Sequence, residues 1–358
     1  MLIFSTCQVG AEVVFKKEML RLFPDARTAF ARPGFVSFKM STPPPENITN
    51  RSVFARTASV SLGKVETDCK QQLAEEIWKL VAEHRLFVNR AHVFQRDSLS
   101  VGEKNFEPHI PPELIELHRH IVEQSPNKKF LGTGAEDFFQ PTRPGENVLD
   151  VLKVEPNRFL IGVHAVTESS SLHARYPGGI LPLTLPDDAV SRAYLKFQEG
   201  LLWSGIVFAD GDKCLDIGAS PGGCSQFLLR QGVKVFGVDP AEIHPAVKNH
   251  PYFTHIRRRI KDVKRSLIRE VAWVVADMNV APNYTLEVLE EIVTQTPFVR
   301  GLLFTLKLIR WELADSLLTM FDRIRTWGFS DVRIKQLIFN RQEVMVLCRE
   351  RRAVTKRR

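Results

Sequence analysis

The stretch Cys214-Leu215-Asp216-Ile217-Gly218-Ala219-Ser220-Pro221-Gly222-Gly223 decides the fold of this chain. It is typical of a strand that enters a tight glycine-rich turn, with a helix following over residues 224–229. Glycines in such a turn let the backbone approach a ligand closely, and a helix N-terminus offers free N–H groups. About 20 residues further on, Asp239 ends the next apolar segment, where a carboxylate can accept both ribose hydroxyls. The layout predicts a fold that binds an adenosine-bearing cofactor.

Two details of this turn separate it from a dinucleotide-binding turn. It reads Gly-x-x-Pro-Gly-Gly and not Gly-x-Gly-x-x-Gly, and Asp216 stands where it can meet the amino group of a methionine moiety instead of a pyrophosphate. These details favour an adenosine-bearing cofactor with a methionine moiety over a dinucleotide, while a glycine-rich turn without a ligand is the alternative. The expected cofactor-binding residues are Asp216, Gly218, Ser220, Pro221, Gly222, Gly223, Cys224, Asp239 and Asp277.

The residues around the turn predict an α/β fold. Apolar segments at 213–217, 233–238, 271–276 and 302–308 are separated by helical patterns. Such an alternation indicates a parallel sheet covered by helices on both faces. The last two segments, 331–339 and 343–348, are joined by only residues 340–342 and predict a hairpin, which adds one antiparallel strand. The expected fold class is a Rossmann-like domain, preceded by an α+β region.

The α+β region occupies the first half of the chain, where short helical and strand patterns alternate. The segment Tyr176-Pro177-Gly178-Gly179, followed by Pro182 and Pro186, marks the clearest boundary. The expected domains are a ferredoxin-like module at 1–66, an RNA-binding module at 67–175, a linker at 176–186, the Rossmann-like domain at 187–350 and a basic tail at 351–358.

Composition limits the class of protein. The chain has 358 residues, of which 44% are hydrophobic and 25% charged, as in an ordinary globular protein of two domains. No apolar run approaches the roughly 20 residues of a membrane span, and the N-terminus lacks the basic region of a signal peptide. The five cysteines are scattered, which favours a reducing, cytoplasmic location, and the ten histidines show no ligand pair for a metal.

The charge distribution favours a polyanionic partner. The net charge is +8 and the isoelectric point is near 9.3. One basic cluster includes Arg257, Arg258, Lys264 and Arg265, which we take as candidate RNA-binding residues. The last ten residues carry six basic side chains and one acidic one, a net of 6 − 1 = +5. Each cluster has two interpretations, a solvated surface or a phosphate contact, and the sequence leaves both open.

Four charged residues are expected to meet at one edge of the sheet. An unpaired buried ammonium is costly, so Lys307, in an otherwise apolar strand, should lie at the strand end and face a carboxylate. Asp277 follows a neighbouring parallel strand, and Glu343 begins the antiparallel one, so both lie at the carboxyl edge, where ligands bind. Lys196, on the preceding helix, completes the group. Singly, each has a structural interpretation, as a solvated lysine, a turn residue or a hairpin charge; their convergence favours a catalytic site.

These residues resemble a known family. The segments Ser191-Arg192-Ala193-Tyr194-Leu195-Lys196, Asp216 to Gly223, Asp277-Met278 and Thr305-Leu306-Lys307-Leu308 are similar to the FtsJ-like (RrmJ-type) ribose 2′-O-methyltransferases. The resemblance covers roughly residues 186–350. It implies S-adenosylmethionine as cofactor, RNA as substrate and a catalytic Lys–Asp–Lys–Glu tetrad at Lys196, Asp277, Lys307 and Glu343.

Segments in the first half of the chain, and the linker that follows, restrict the resemblance to one group of these methyltransferases. Residues 7–12, Phe54-Ala55-Arg56 and residues 176–196 look like the RlmM-type enzymes. These are bacterial 23S ribosomal RNA cytidine 2′-O-methyltransferases with a THUMP domain ahead of the catalytic domain, which implies a THUMP-like module at 67–175.

The chain departs from the FtsJ-like pattern at three places. Cys224 replaces an aromatic residue, Ile309-Arg310-Trp311 lacks an expected proline, and Arg258-Arg259 stands where an acidic residue is expected near the adenine. Asp262 corresponds to that acidic residue only if the alignment of the two sequences is shifted.

The expected mechanism uses Lys307 as the general base. A second cation and a low dielectric should lower the pKa of Lys307, so that it accepts the ribose proton. Glu343 would orient Lys307, and Asp277 would hold either Lys196 or the amino-acid end of the cofactor. The alternatives are a 2′-O-methyltransferase acting on transfer RNA or another ribosomal site, a non-catalytic RNA-binding or assembly protein, and a dinucleotide-dependent oxidoreductase. Neither a membrane nor a stable protein partner is expected.

Overall fold

A computed structural model describes residues 1–42, 48–126 and 136–351. The chain divides into two compact units, Met1–Pro182 and a second unit that starts at Leu183. This division falls inside the expected linker at 176–186. The expected basic tail lies outside the described residues from residue 352 onward. In the part of the chain that is described, no helix combines the length and the apolar character needed to cross a membrane.

The first unit is an α+β structure built on one sheet. Its helices are α1 (Glu12–Leu22), α2 (Ile48–Arg51), α3 (Lys70–Glu83) and α4 (Pro112–Glu123). Its strands are β1 (Leu2–Thr6), β2 (Arg27–Arg32), β3 (Phe35–Lys39), β4 (Ser59–Glu66), β5 (Arg90–Gln95), β6 (Asn147–Glu155) and β7 (Arg158–Ala165). They form a seven-stranded sheet in the order β2-β3-β1-β4-β7-β6-β5.

This sheet corrects the expected boundary at residue 66. Strand β4 ends at Glu66 and pairs with β1 on one side and with β7 on the other. Strands from 1–66 and from 67–175 therefore share one ladder of hydrogen bonds, and the two expected modules form a single unit. The sequence pattern shows the strands but not their partners, because alternation within a strand carries no information about which strand lies beside it.

The second unit contains the glycine-rich turn. Its helices are α5 (Ala193–Ser204), α6 (Gly223–Arg230), α7 (Pro245–Lys248), α8 (Pro282–Gln295) and α9 (Leu317–Arg325). Its strands are β8 (Lys213–Ile217), β9 (Lys234–Val238), β10 (Phe253–Ile256), β11 (Trp273–Ala276), β12 (Gly301–Lys307), β13 (Phe329–Lys335) and β14 (Glu343–Arg351). The sheet order is β10-β9-β8-β11-β12-β14-β13.

This second sheet confirms the expected Rossmann-like class. The pairs β10–β9, β9–β8, β8–β11 and β11–β12 are parallel, and β14 runs antiparallel to both β12 and β13. The order of strands along the chain reverses between β8 and β11. In open α/β sheets, a cleft forms at such a reversal beyond the carboxyl ends of the strands.

The connection between the last two strands differs from the expectation. Strand β13 ends at Lys335 and not at residue 339, so residues 336–342 form a longer connection in place of a three-residue hairpin loop. Leu337, Ile338 and Phe339 continue the apolar pattern of the strand, which is why the sequence extends it. These residues are buried without pairing to β14.

Helix α5 packs one face onto the sheet. Tyr194 and Phe197 are buried there, and the ring of Tyr194 meets that of Phe227 on α6 edge to face at 5.3 Å between centroids. Apolar burial of this kind supplies the main stabilisation of the unit. It also fixes the face of α5 that carries Lys196, two residues after Tyr194.

Candidate active site

The four charged residues expected at the sheet edge form one network. The ammonium nitrogen of Lys196 lies 2.7 Å from Asp277 Oδ2 and 2.7 Å from Glu343 Oε1. The ammonium nitrogen of Lys307 lies 2.7 Å from Asp277 Oδ1 and also bonds to Glu343 Oε2. Each lysine thus bridges both carboxylates, and the two positive charges balance the two negative ones.

The topology of the sheet places these four side chains. Lys307 is the last residue of β12 and stands opposite Glu343, the first residue of β14. Asp277 directly follows β11, the parallel neighbour of β12. Thr305, two residues before Lys307 and therefore on the same face of the strand, donates a hydrogen bond to Asp277 Oδ1 at 2.7 Å. The expectation of convergence from strand direction agrees with this geometry.

The charges of the network stabilise one another. Burial would raise the pKa of Asp277, but the ammonium groups of Lys196 and Lys307 outweigh it and hold that pKa well below its usual range. Burial would lower the pKa of Lys196, but the carboxylates of Asp277 and Glu343 raise it above its usual value. We expected a second cation to dominate the surroundings of Lys307; its direct partners are instead two carboxylates.

The glycine-rich turn follows β8 at the same edge of the sheet. Gly218 and Gly222 have φ values of +79° and +124°, which side-chain-bearing residues rarely adopt, and the Ser220–Pro221 peptide bond is cis. A Cβ atom at Gly223 would lie 2.9 Å from the carbonyl oxygen of Ser191. The glycines are therefore required by the turn itself and by the close approach of the segment that precedes α5.

Asp216, the residue expected to meet the amino group of the cofactor, lies near the end of β8. Its side chain is fully buried below the turn, where Ser225 Oγ donates a hydrogen bond to Oδ2 at 2.6 Å. Oδ1 is also buried, and the Cys224 thiol lies beside this carboxyl. In the structure this carboxyl contacts the first turn of α6, and its contact with the amino group of a cofactor stays a prediction. Burial raises the pKa of Asp216 to about 7, and the nearby carboxylate of Asp277 adds to the rise.

The other expected cofactor residues surround the start of α6. No side chain caps α6, whose N-cap is Gly222. Asp239, after β9, accepts hydrogen bonds from the backbone N–H groups of Ser220 at 3.1 Å and Ala241 at 2.8 Å and remains partly exposed. A carboxylate has about four acceptor positions, so Asp239 retains capacity for a ligand. Cys224, in place of an aromatic residue, is buried.

A cleft of about 540 Å³ opens beside the charged network. Lys196, Lys307 and Glu343 lie on its wall, together with two arginines, Arg192 and Arg341. Sequence reasoning did not single out these arginines as substrate contacts. Arg192 lies within the motif that we quoted, and Arg341 stands two residues before Glu343, so proximity in sequence to the tetrad was the available signal.

The four candidate RNA-binding residues lie away from this cleft. Arg265 is held inside the protein by Glu291, Gln295 and the carbonyl oxygen of Ile260. Arg257 pairs with Glu242 and donates to the carbonyl oxygen of Pro240. Arg258 and Lys264 are exposed. Among the residues described, no group of three or more His, Cys, Asp or Glu side chains is placed to hold a metal ion.

The fold and the charged edge define the class of the second unit, a Rossmann-like domain of the methyltransferase type. Residues 189–329 match the model of the family described as FtsJ-like methyltransferase. This match includes Lys196, Asp277 and Lys307 and ends before Glu343.

Comparison with curated proteins gives the family. A ribosomal RNA large subunit methyltransferase M from Laribacter hongkongensis (strain HLHK9) is 31% identical over 196 residues, which are 52% of this chain and 55% of the relative. The protein of that description from Xanthomonas oryzae pv. oryzae (strain PXO99A) is 32% identical over 238 residues, 61% of this chain and 67% of the relative. The chain belongs to the family of ribosomal RNA large subunit methyltransferase M. It matches about half the length of the first curated relatives.

The buried carboxyl of Asp216 predicts a pH dependence of stability. The folded protein keeps this proton up to about pH 7, whereas the unfolded chain loses it near the ordinary value of 3.8. The stabilising contribution is therefore complete below 3.8 and is lost as the pH rises through 7. Asparagine does not titrate, so Asp216→Asn should gain on the order of 1–4 kcal/mol relative to wild type between about pH 4 and pH 8. Urea unfolding of wild type and Asp216→Asn at about pH 4 and about pH 8 measures this difference in the free energy of unfolding.

Asp262→Asn, at an exposed position, serves as the control and should show a small, constant difference from wild type. A difference between Asp216→Asn and wild type that is the same at both pH values would contradict a buried protonated carboxyl.

Proposed function

We propose that this protein transfers a methyl group from S-adenosylmethionine to a ribose 2′-hydroxyl of 23S ribosomal RNA, with a cytidine as the target. The observation that carries this proposal is the pair of lysines that share two carboxylates on the wall of an open cleft. Membership of the ribosomal RNA methyltransferase family supports RNA as the substrate class. Free cysteines at Cys7, Cys69, Cys214, Cys224 and Cys348 suit a cytoplasmic location.

The cofactor has a site that fits its chemistry. The uncapped start of α6 would hold its carboxylate, since helix N-termini favour anions. Asp239 would accept hydrogen bonds from its ribose hydroxyls, and the turn from Gly218 to Gly223 lies between the two. Asp216 supports the turn from below. When bound, S-adenosylmethionine supplies an electrophilic methyl group on a sulfonium.

The two lysines have different roles in the proposal. Lys196, with its raised pKa and a side chain only 8% exposed, stays an ammonium and holds both carboxylates in place. Lys307 is more open, at 17% exposure, and stands at the cleft. Lys307 acts as the general base, and its neutral amine takes the proton from the ribose hydroxyl. Asp277 and Glu343 orient the side chain of Lys307. Because Lys307 bonds to the ribose 2′-hydroxyl, its orientation also positions this nucleophile.

Basic side chains bind the RNA in this proposal, two of them at the cleft and two at exposed positions outside it. Arg192 and Arg341 stand beside the lysines and would bind phosphates that flank the target ribose. Arg258 and Lys264 are exposed and remain candidate phosphate contacts, whereas the guanidinium groups of Arg257 and Arg265 bond within the protein. We assign the α+β unit, residues 1–182, to RNA binding as a THUMP-like domain.

Lys307→Ala should remove methyl transfer. Loss of a general base lowers the rate by about 10²–10⁴. The measurement is the initial rate of tritium transfer from labelled S-adenosylmethionine to RNA from a strain lacking the gene. Lys234→Ala, at an exposed lysine that begins β9 and so lies at the opposite edge of the sheet, is the matched control and should keep the wild-type rate. A Lys307→Ala rate within threefold of wild type would remove Lys307 from the mechanism.

Arg341→Ala should weaken RNA binding and make it less dependent on salt. A lost phosphate contact lowers the slope of log affinity against log salt concentration by about 1. Filter binding across a salt series measures the slope for wild type, for Arg341→Ala and for Arg325→Ala, an exposed arginine on α9. An unchanged slope for Arg341→Ala would place Arg341 outside the RNA contact.

A further inference from the structure

We propose that Glu199 is a positioning residue for the proposed reaction, and that it holds Glu343 in place through the connection between β13 and β14. This inference rests on the proposed function, because it assigns a purpose to a buried group beside the proposed catalytic residues.

Glu199 is a fully buried carboxylate on α5. Its Oε1 accepts a hydrogen bond from the backbone N–H of Ile338 at 2.8 Å, and its Oε2 accepts one from the N–H of Phe339 at 2.9 Å. A buried carboxylate is costly unless its oxygens are satisfied, so this side chain and the connection require each other. The two oxygens fix two successive peptide groups, which sets the path of residues 336–342.

The fixed connection leads directly to Glu343. Asn340, also fully buried, accepts a hydrogen bond from the N–H of Leu337 at 2.9 Å, and its side-chain amide lies 3.4 Å from Glu343 Oε1. Glu343 in turn bonds to Lys196, three residues before Glu199 on α5. Residues three apart share one face of a helix. The chain of contacts therefore starts and ends on α5.

This closed path explains why the connection is longer than a hairpin loop. Glu343 begins β14, where it is held by its pairing with Lys307 of β12 and by the loop that precedes it. Glu199 gives that loop a fixed attachment to the helix that carries Lys196. Two sets of contacts then fix the position of Glu343 relative to Lys196. One is their own ion pair, and the other runs from Glu199 through the connection.

Glu199→Gln tests the proposal, since glutamine keeps the shape but offers only one acceptor to the two N–H groups. We expect kcat to fall about ten- to hundredfold, because small displacements of positioning groups have effects of that size. The KM for RNA and the affinity for S-adenosylmethionine should stay within twofold of wild type. Hydrogen exchange of the Ile338 and Phe339 amides should become faster while the rest of the sheet stays protected.

Two further variants complete the design. Glu287→Gln makes the same chemical change at an exposed position on α8 and should match wild type in every readout. Asn340→Asp keeps the acceptor for Leu337 but removes the amide next to Glu343 and adds a like charge. It should therefore also lower kcat, and it tests the step from the connection to Glu343 separately from Glu199.

Three results separate the possible failures. A wild-type kcat in Glu199→Gln, with faster exchange at Ile338 and Phe339, would show that the contact exists and does not position Glu343. Equal losses of kcat, RNA binding, cofactor binding and exchange protection would show a role in folding alone. If wild type itself transfers no methyl group to RNA, the proposed function fails whatever the variants do.

Discussion

Two ammonium groups that share two carboxylates are the interaction on which the candidate active site depends. Each of these charges lies largely out of water, where an unpaired ion costs several kcal/mol. The network is stable only because all four groups meet. They come from α5, the end of β11, the end of β12 and the start of β14, so the pairing requires the sheet to have its mixed topology. An all-parallel sheet would place the start of the last strand at the opposite edge.

The same edge carries a further buried carboxyl, Asp216, whose pKa is shifted in the opposite direction from that of Asp277. Asp277 has two cations beside it and a lowered pKa, whereas Asp216 has a hydroxyl partner and a raised one. The contrast follows from the residues that each carboxyl meets, because burial acts in the same direction on both. In our account the ionised Asp277 holds the two lysines in place, and Asp216, near neutral pH, stays partly protonated and supports the cofactor turn. One edge of one sheet thus holds two carboxyl groups with separate tasks.

Much of this site could be predicted from the sequence because it depends on strand direction. The strand at 213–217, the turn that follows it and the convergence of Asp277, Lys307 and Glu343 follow from apolar periodicity and from strand direction. Strand direction does not place Lys196, which lies on helix α5. Features that depend on tertiary partners could not be predicted. The position of Asp216 below its turn, the single sheet of the first unit and the connection at 336–342 each depend on contacts between distant segments. Glu199 illustrates the limit: a glutamate on a helix is most often exposed, and only its neighbours Ile338 and Phe339 show why this one is buried.

The central claim is that this network deprotonates a ribose hydroxyl, and the chemistry of the product tests it most directly. RNA from a strain lacking the gene would be labelled with tritiated S-adenosylmethionine and the protein, then hydrolysed completely with alkali. A 2′-O-methyl group blocks attack of the 2′-oxygen on the adjacent phosphate, so the bond beside it survives. The account predicts that the label is recovered in alkali-resistant dinucleotides of large-subunit RNA with cytidine at the 5′ side. Label recovered in mononucleotides, as methylated bases, would contradict it.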